Sequence, residues 1–68
     1  MFKVSTFSER LKKSIKNKNL TNRKTAELCD ISESALCRYI KGERIPNADI
    51  LYRMSAVLGV TSDYLIGK

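Results

Sequence analysis

Apolar residues recur at helical spacing near the start of the chain. Phe7, Leu11 and Ile15 are four residues apart and form one stripe on a helix that we expect over about Ser5–Lys18. Polar and basic residues fill the other faces of this helix. Nowhere in the chain do apolar and polar residues alternate for long enough to predict a strand. The pattern therefore predicts an all-α fold.

Polar N-cap residues divide the rest of the chain into four further helices. Each cap is a Thr, Ser or Asn whose side-chain oxygen is placed to accept an early backbone N–H of its helix. Gly42 and Gly59 stand where two of these helices should end, because glycine adopts the left-handed conformation that closes a helix. We expect helices over about residues 5–18, 22–29, 33–41, 47–58 and 62–66, with caps at Thr21, Ser32, Asn47 and Thr61.

Length and composition are typical of one small globular domain, which we expect to span residues 1–68. The chain has 43% hydrophobic and 29% charged residues, and it contains no repeat or linker. Its two cysteines, Cys29 and Cys37, lack C-x-x-C spacing and no histidine is present, so we expect no disulfide framework, metal site or cofactor. No signal peptide and no apolar run of about 18 residues is apparent, so we expect a reduced, cytoplasmic protein without a membrane span.

The charge balance points to a polyanionic partner. The net charge is +6, and residues 1–20 carry six basic residues against one glutamate. Such a balance favours nucleic acid first and an anionic membrane surface second, although many small basic proteins bind neither. A solvated helix face is the simpler interpretation for most lysines of the first helix.

The centre of the chain, residues 22–39, predicts two short helices joined by a three- or four-residue turn, as in a helix-turn-helix. Ala26 is small enough for close crossing of the two helices, and Asp30 tolerates the left-handed backbone that the turn needs. Apolar residues stand where the second helix must pack on the first, at Cys29, Ile31, Leu36 and Tyr39. An ordinary pair of packed helices would satisfy this apolar pattern alone, but it would not require the small residue, the turn and the caps in register.

Short motifs over about residues 7–67 carry a family likeness. They are Phe7-Ser8-Glu9-Arg10-Leu11, Leu20-Thr21, Ile31-Ser32, Ser34, Arg38-Tyr39, Gly42, Arg44, Pro46 and the segment Leu58-Gly59-Val60-Thr61-Ser62-Asp63-Tyr64-Leu65-Ile66-Gly67. Together they resemble the phage-repressor and Cro-like helix-turn-helix family, also called the xenobiotic-response-element class. The resemblance implies a compact five-helix, lambda-repressor-like domain that binds double-stranded operator DNA, usually as a two-fold dimer.

Four positions depart from the family pattern. The family usually has Gln, Leu, Gly and Glu where this chain has Asn22, Thr25, Asp30 and Ile40. The shorter Asn22 side chain weakens or removes a phosphate contact, and Thr25 thins the core between the two motif helices. Ile40 is either part of a partner surface or partly buried.

The second motif helix is expected to lie in the major groove with its N-terminal residues toward the base edges. Leu36 and Tyr39 take its inner face. The family's reading positions then select four residues on the opposite face as candidates for base contacts, namely Glu33, Ser34, Cys37 and Arg38. Arg38 can bind guanine O6 and N7 or a phosphate, Ser34 can donate or accept, and Cys37 can lie against a thymine methyl group.

The role of Glu33 and the phosphate contacts each have two interpretations. Glu33 either accepts from cytosine N4 or only favours the helix N-terminus through the dipole. Candidates for phosphate contacts fix register without reading sequence, and each of them has surface charge as its alternative interpretation. They are Asn22, Arg23, Lys24, Lys41 and Arg44.

Sequence-specific DNA binding by a small transcriptional regulator is thus the leading hypothesis. The resemblance to phage repressors implies that this regulator is a repressor. A protein-interaction module using the same helices is the alternative. An enzyme is disfavoured, since no histidine can serve as a base for Cys37. One motif spans few base pairs, so we expect two copies on a palindrome, formed by a chain that is a monomer or a weak homodimer in free solution. The residues available for that dimer are Val60, Tyr64, Leu65 and Ile66, unless all four belong to the core.

Overall fold

The computed structural model describes residues 4–67, which form five helices and, within that range, no strand. The helices are α1 (Val4–Asn17), α2 (Asn22–Cys29), α3 (Glu33–Lys41), α4 (Ala48–Leu58) and α5 (Ser62–Ile66). Every boundary lies within one residue of the predicted one. The all-α, five-helix fold is confirmed, and no helix of the described residues is long and apolar enough to cross a membrane.

The four predicted N-caps are all present. In each, the side-chain oxygen accepts the backbone N–H of the residue three positions later, at 2.9–3.0 Å. These bonds satisfy donors that the first turn of a helix leaves without a partner. The caps are Thr21 for α2, Ser32 for α3, Asn47 for α4 and Thr61 for α5.

Each helix is followed, directly or after one residue, by a left-handed residue. Gly42, Gly59 and Gly67 close α3, α4 and α5, whereas Asn19 and Asp30 do so after α1 and α2 with φ of 56° and 59°. Asparagine and aspartate are the side chains that most readily adopt this conformation. The predicted left-handed Asp30 is confirmed, and Asn19 adds a second case.

The core lies where one face of each helix meets the others. The predicted stripe of Phe7, Leu11 and Ile15 is buried, as are Leu36 and Tyr39 of α3. The remaining buried apolar residues come from α2, α4 and α5, and they are Ala26, Cys29, Met54, Leu58 and Leu65. Burial of these side chains supplies most of the driving force for folding, because helices of 5 to 14 residues are marginal on their own.

Two of the unusual positions are accommodated by the core. Thr25 is fully buried, and its hydroxyl donates to the backbone carbonyl of Thr21 at 2.8 Å. That bond removes the cost of burying an unpaired hydroxyl where a leucine is usual. Ile40 is partly buried and packs against the core, which decides between its two interpretations in favour of packing.

Helix α1 is tied by side chains to both α3 and α5. The Ser8 hydroxyl donates to the backbone carbonyl of Ile40 near the end of α3. The Arg10 guanidinium donates to the backbone carbonyl of Tyr64 in α5 at 2.5 Å and lies over the Tyr64 ring. Because both bonds start within one turn of α1, this helix fixes the position of α3 relative to α5.

Candidate nucleic-acid interface

The connection between α2 and α3 consists of Asp30, Ile31 and Ser32. The backbone N–H of Asp30 donates to the carbonyl of Glu27 at 3.1 Å, and that of Ile31 donates to Ala26 at 3.0 Å. This pair of bonds around a left-handed residue is a Schellman motif, which reverses the chain sharply. Three residues therefore suffice to turn the chain from α2 into α3, as predicted.

Helices α2 and α3 pack against each other, and the small Ala26 of α2 is buried in the core at 2% exposure. Leu36 and Tyr39 attach α3 to the core, at 0% and 4% exposure. With these two side chains turned inward, the opposite face of α3 is left to solvent. The arrangement presents one full face of a nine-residue helix at the surface of the protein.

That outer face carries an open concavity of about 420 Å³. Its lining consists of Glu33, Ser34, Cys37, Arg38, Lys41 and Glu43. All four residues predicted to contact bases are thus brought to one surface, together with one of the predicted phosphate contacts. Their convergence follows from helical geometry, since residues three and four apart share a face.

The sequence of the chain matches a model of the helix-turn-helix family over residues 11–65. The chain belongs to this family. The "Uncharacterized HTH-type transcriptional regulator YqaE" of Bacillus subtilis (strain 168) is 40% identical over 60 residues, which are 88% of this chain and 52% of the relative. The "HTH-type transcriptional regulator ImmR" of the same strain is 32% identical over 63 residues, 93% of this chain and 50% of the relative. The chain spans about half the length of these curated relatives.

Three of the predicted phosphate contacts form the exposed first turn of α2, the first helix of the helix-turn-helix. Asn22, Arg23 and Lys24 follow directly on the N-cap, where backbone N–H groups favour an anion. Lys24 lies 3.9 Å from Glu27, and both side chains are more than half exposed. An exposed pair of this kind contributes little energy, so Lys24 is free to exchange its partner for a phosphate.

Arg44 lies outside the concavity. It is exposed in the loop between α3 and α4 and does not contribute to the lining. The structure therefore unites Lys41 with the base-reading candidates, whereas Arg44, Asn22, Arg23 and Lys24 do not line the concavity.

Two arginines of the helix-turn-helix domain have structural partners instead. Arg10 is bound to Tyr64, as described above. Arg53 of α4 forms a 2.8 Å ion pair with Asp49 and reaches within 3.9 Å of Asp30 at the turn between α2 and α3. Both charges add to the positive field of the domain. The Arg10 side chain is committed to Tyr64, whereas the exposed ion pairs of Arg53 contribute little energy.

The two cysteines differ in environment as predicted. Cys29 is fully buried, and this burial raises the pKa of its thiol, an effect that the nearby Arg53 charge partly offsets. Cys37 is half-buried and lines the concavity. Only Cys37 is therefore placed to meet a molecule bound at the face of α3.

Glu43 is a residue of this surface that the sequence did not single out. The backbone N–H of Glu43 donates to the carbonyl of Arg38 at 2.9 Å, beside the left-handed Gly42. This second Schellman motif folds the chain back over the last turn of α3. The ends of α1, α2 and α4 place an apolar residue at the same point (Leu20, Ile31 and Val60), whereas here a carboxylate does so. A charged residue directly after the closing glycine was the available signal.

Proposed function

We propose that the chain binds double-stranded DNA sequence-specifically as a transcriptional regulator, with α3 in the major groove. The observation that carries this proposal is the convergence of five polar or ionisable side chains of α3 on one concavity, on a helix fixed by a helix-turn-helix. A helix of about 10–12 Å diameter fits the major groove of B-DNA, which is about 12 Å wide. We further propose that residues 1–68 act as one binding unit.

The base contacts are assigned by chemistry. Arg38 donates in a bidentate manner to guanine O6 and N7. Ser34 donates to or accepts from a base edge, and the Cys37 thiol lies against a thymine methyl group. Glu33 stands at the N-terminal end of α3, the end that faces the bases in this class of motif.

The phosphate contacts set register. Asn22, Arg23 and Lys24 contact one backbone strand from the first turn of α2, helped by the unsatisfied N–H groups there. Lys41 and Arg44 contact the backbone from the end of α3 and the loop that follows. These side chains neutralise phosphates and release counterions, so affinity should fall steeply with salt.

Assembly on DNA is expected to involve two copies. The residues proposed for a weak homodimer are Val60, Tyr64, Leu65 and Ile66. Leu65 is fully buried, and Val60 and Tyr64 pack partly against the core. Because these three side chains pack wholly or partly in the core, the surface that they leave for a partner is small. A monomer that pairs on a palindromic site accords with that small surface.

A repressor role is the proposal that accords with the resemblance to phage repressors. Because its ligand is DNA, we propose that it acts in the cytoplasm and has no catalytic activity. The alternative function, a protein-interaction module that does not read DNA, is not favoured, since both relatives bear the name of transcriptional regulator.

Selection of binding sites from a random duplex pool tests the proposal. We expect enrichment of one palindromic sequence, bound cooperatively by two chains, with mainly monomer at micromolar concentration in sedimentation. Titration of random duplex at low salt should show weaker, salt-sensitive binding. Absence of binding to any duplex at low salt would contradict DNA binding, and a tight dimer without DNA would contradict the assembly.

A further inference from the structure

The positive charge of the protein is concentrated in its first twenty residues and not on the face of α3. Residues 1–20 carry six basic residues against one acidic residue, whereas residues 21–68 carry seven against six. The concavity on α3 is itself balanced, because its lining contains two basic and two acidic side chains. The attraction of this protein to a polyanion therefore depends mainly on the first part of the chain.

Two basic residues of this part have roles within the fold. Arg10 is bound to Tyr64, as described above. Lys18 lies against the end of α4, where its Cε and Nζ atoms would each be 3.2 Å from a Cβ atom placed on Gly59. A cation at the C-terminal end of a helix is favoured by the helix dipole. Lys18 therefore has a structural position that the other lysines of this region do not share.

Three lysines of α1 are exposed on its outer side. At about 100° per residue, Lys12, Lys13 and Lys16 lie within an arc of about 100°, turned away from the buried apolar stripe. Within residues 4–67, none of the three has an acidic side chain within 4 Å. Their ammonium groups are therefore available to an anion, and we call these three residues the lysine face.

The lysine face lies in the half of α1 that leads into α2. Only residues 18–21 separate α1 from the first turn of α2, where three phosphate contacts are proposed. This connection is tight, because the backbone N–H of Leu20 donates to the carbonyl of Ile15 at 3.1 Å beside the left-handed Asn19. The lysine face therefore extends the basic surface that begins at the N-terminus of α2.

The chemistry of this face fits a phosphate backbone better than a membrane or a protein. The other exposed residues of α1 are Ser5, Glu9 and Asn17, so its described surface exposes no apolar or aromatic side chain. A helix in a membrane interface buries an apolar face in lipid, whereas the apolar face of α1 is already in the core. Protein interfaces are depleted in lysine and depend on aromatic and arginine side chains. Phosphates need only a positive charge, which lysine supplies as a mobile point charge.

We propose that Lys12, Lys13 and Lys16 form a second DNA-contact surface, which binds the phosphate backbone of the operator duplex beyond the phosphates contacted by α2. This inference rests on the proposed function and extends the contact to base pairs that α3 does not reach. The lysines neutralise phosphates without reading bases, so they strengthen binding to every sequence and release counterions. They supply the attraction that the balanced face of α3 lacks.

The test uses a triple variant in which Lys12, Lys13 and Lys16 are each replaced by glutamine. Wild type and the triple variant are titrated with a selected operator that has about 10 base pairs, one helical turn, of flanking DNA on each side. The triple variant should lower the slope of log affinity against log salt by about two to three per chain. On a duplex trimmed to the palindrome, the two slopes should differ by less than about one. Base preferences should be unchanged, because α3 is intact.

Single substitutions supply the matched control. Lys16→Gln should lower the slope on the flanked duplex by about one. Lys18→Gln removes the same charge two residues later, from a side chain that lies against α4, and should leave the slope unchanged. Replacing all three lysines of the face by arginine keeps the charge and should keep the slope of wild type. Circular dichroism of each variant checks that the helices remain folded.

The outcomes separate the inference from the function beneath it. Equal slopes for wild type and the triple variant on the flanked duplex overturn the lysine contact, while DNA binding by α3 stands. An equal effect of Lys18→Gln and Lys16→Gln also overturns it, because net charge alone then explains the change. So does a difference as large on the trimmed duplex as on the flanked one, which places the lysines within the palindrome.

Two further results complete the test. If the triple variant binds DNA as wild type does but loses binding to vesicles of phosphatidylserine and phosphatidylcholine, the lysine face is a membrane contact and the proposal is wrong. If wild type binds no duplex even at low salt, the proposed function itself fails, and the lysine contact fails with it.

Discussion

The guanidinium of Arg10 lies 4.6 Å from the centre of the Tyr64 ring and donates to the backbone carbonyl of the same residue at 2.5 Å. One side chain thereby joins α1 to α5 through a cation–π contact and a charge-assisted hydrogen bond. It also covers one face of a ring that was a candidate for the dimer interface. Arg10 is therefore a structural residue in a helix whose other basic residues are exposed.

Replacing Arg10 by alanine should lower the free energy of unfolding by about 1–2 kcal/mol, since both contacts with Tyr64 are lost. Urea denaturation followed by circular dichroism measures this change. Lys13→Ala, on the exposed side of the same helix, is the control and should change stability by less than about 0.5 kcal/mol. Equal effects of the two substitutions would show that the contact with Tyr64 contributes nothing.

Truncation of Leu36 tests how α3 is attached. Its side chain is fully buried, so Leu36→Ala should destabilise by about 2–5 kcal/mol, enough to unfold much of so small a protein. Leu28→Ala is the matched control because Leu28 is 48% exposed and should cost well under half as much. Thermal melting of both variants gives the answer. Similar melting temperatures would mean that α3 packs differently.

Replacing Asp30, the left-handed residue of the turn between α2 and α3, should stabilise the protein. Asp30 has φ of 59°, a conformation that glycine adopts without a Cβ penalty. Asp30→Gly should therefore raise the free energy of unfolding by up to about 1 kcal/mol, in spite of the greater entropy of glycine in the unfolded chain.

The same substitution removes the 3.9 Å pair with Arg53. The Asp30 side chain is 93% exposed, so this loss is small. Asp30→Asn tolerates the same backbone without the charge and isolates that contribution. A decrease in stability for Asp30→Gly with no change for Asp30→Asn would mean that glycine gains nothing in this turn.

Replacing Arg38 and replacing Lys41 should change DNA affinity in different ways. Arg38→Ala should weaken binding to the selected site by roughly 1–3 kcal/mol and relax preference at one base pair. Lys41→Ala should weaken binding to all sequences alike and lower the slope of log affinity against log salt by about one. Titrations on specific and random duplex at several salt concentrations distinguish them. Identical losses on both duplexes for both variants would refute the assigned roles.

Thiol chemistry can report on docking of α3. Burial raises the pKa of the Cys29 thiol, so the reactive thiolate form is disfavoured there at pH 8. In the native protein a disulfide reagent should modify Cys37 first and Cys29 only after denaturation. Saturating operator DNA should slow modification of Cys37, since this residue lines the proposed interface. Unchanged labelling of Cys37 on DNA would place the contact elsewhere.

Much of this fold could be predicted because its signals are local. An N-cap bond such as that of Thr21 spans three residues, and a closing residue such as Gly42 acts within one turn. The apolar stripe beginning at Phe7 depends only on the period of a helix. These interactions form within a segment, so residue type and spacing are enough to predict them. The same period placed the predicted base-reading residues on one face of α3.

Only the tertiary structure decided which of several possible partners each side chain meets. Arg10 could not be distinguished from neighbouring lysines until α5 brought the Tyr64 ring against it. Ser8 and Ile40, 32 residues apart, meet because α1 packs on α3, and that packing also covers Ile40. Burial and long-range hydrogen bonds depend on where other helices lie. By itself, the sequence determined the helices, their caps and the polar outer face of α3, whereas packing determined which polar and charged groups are structural.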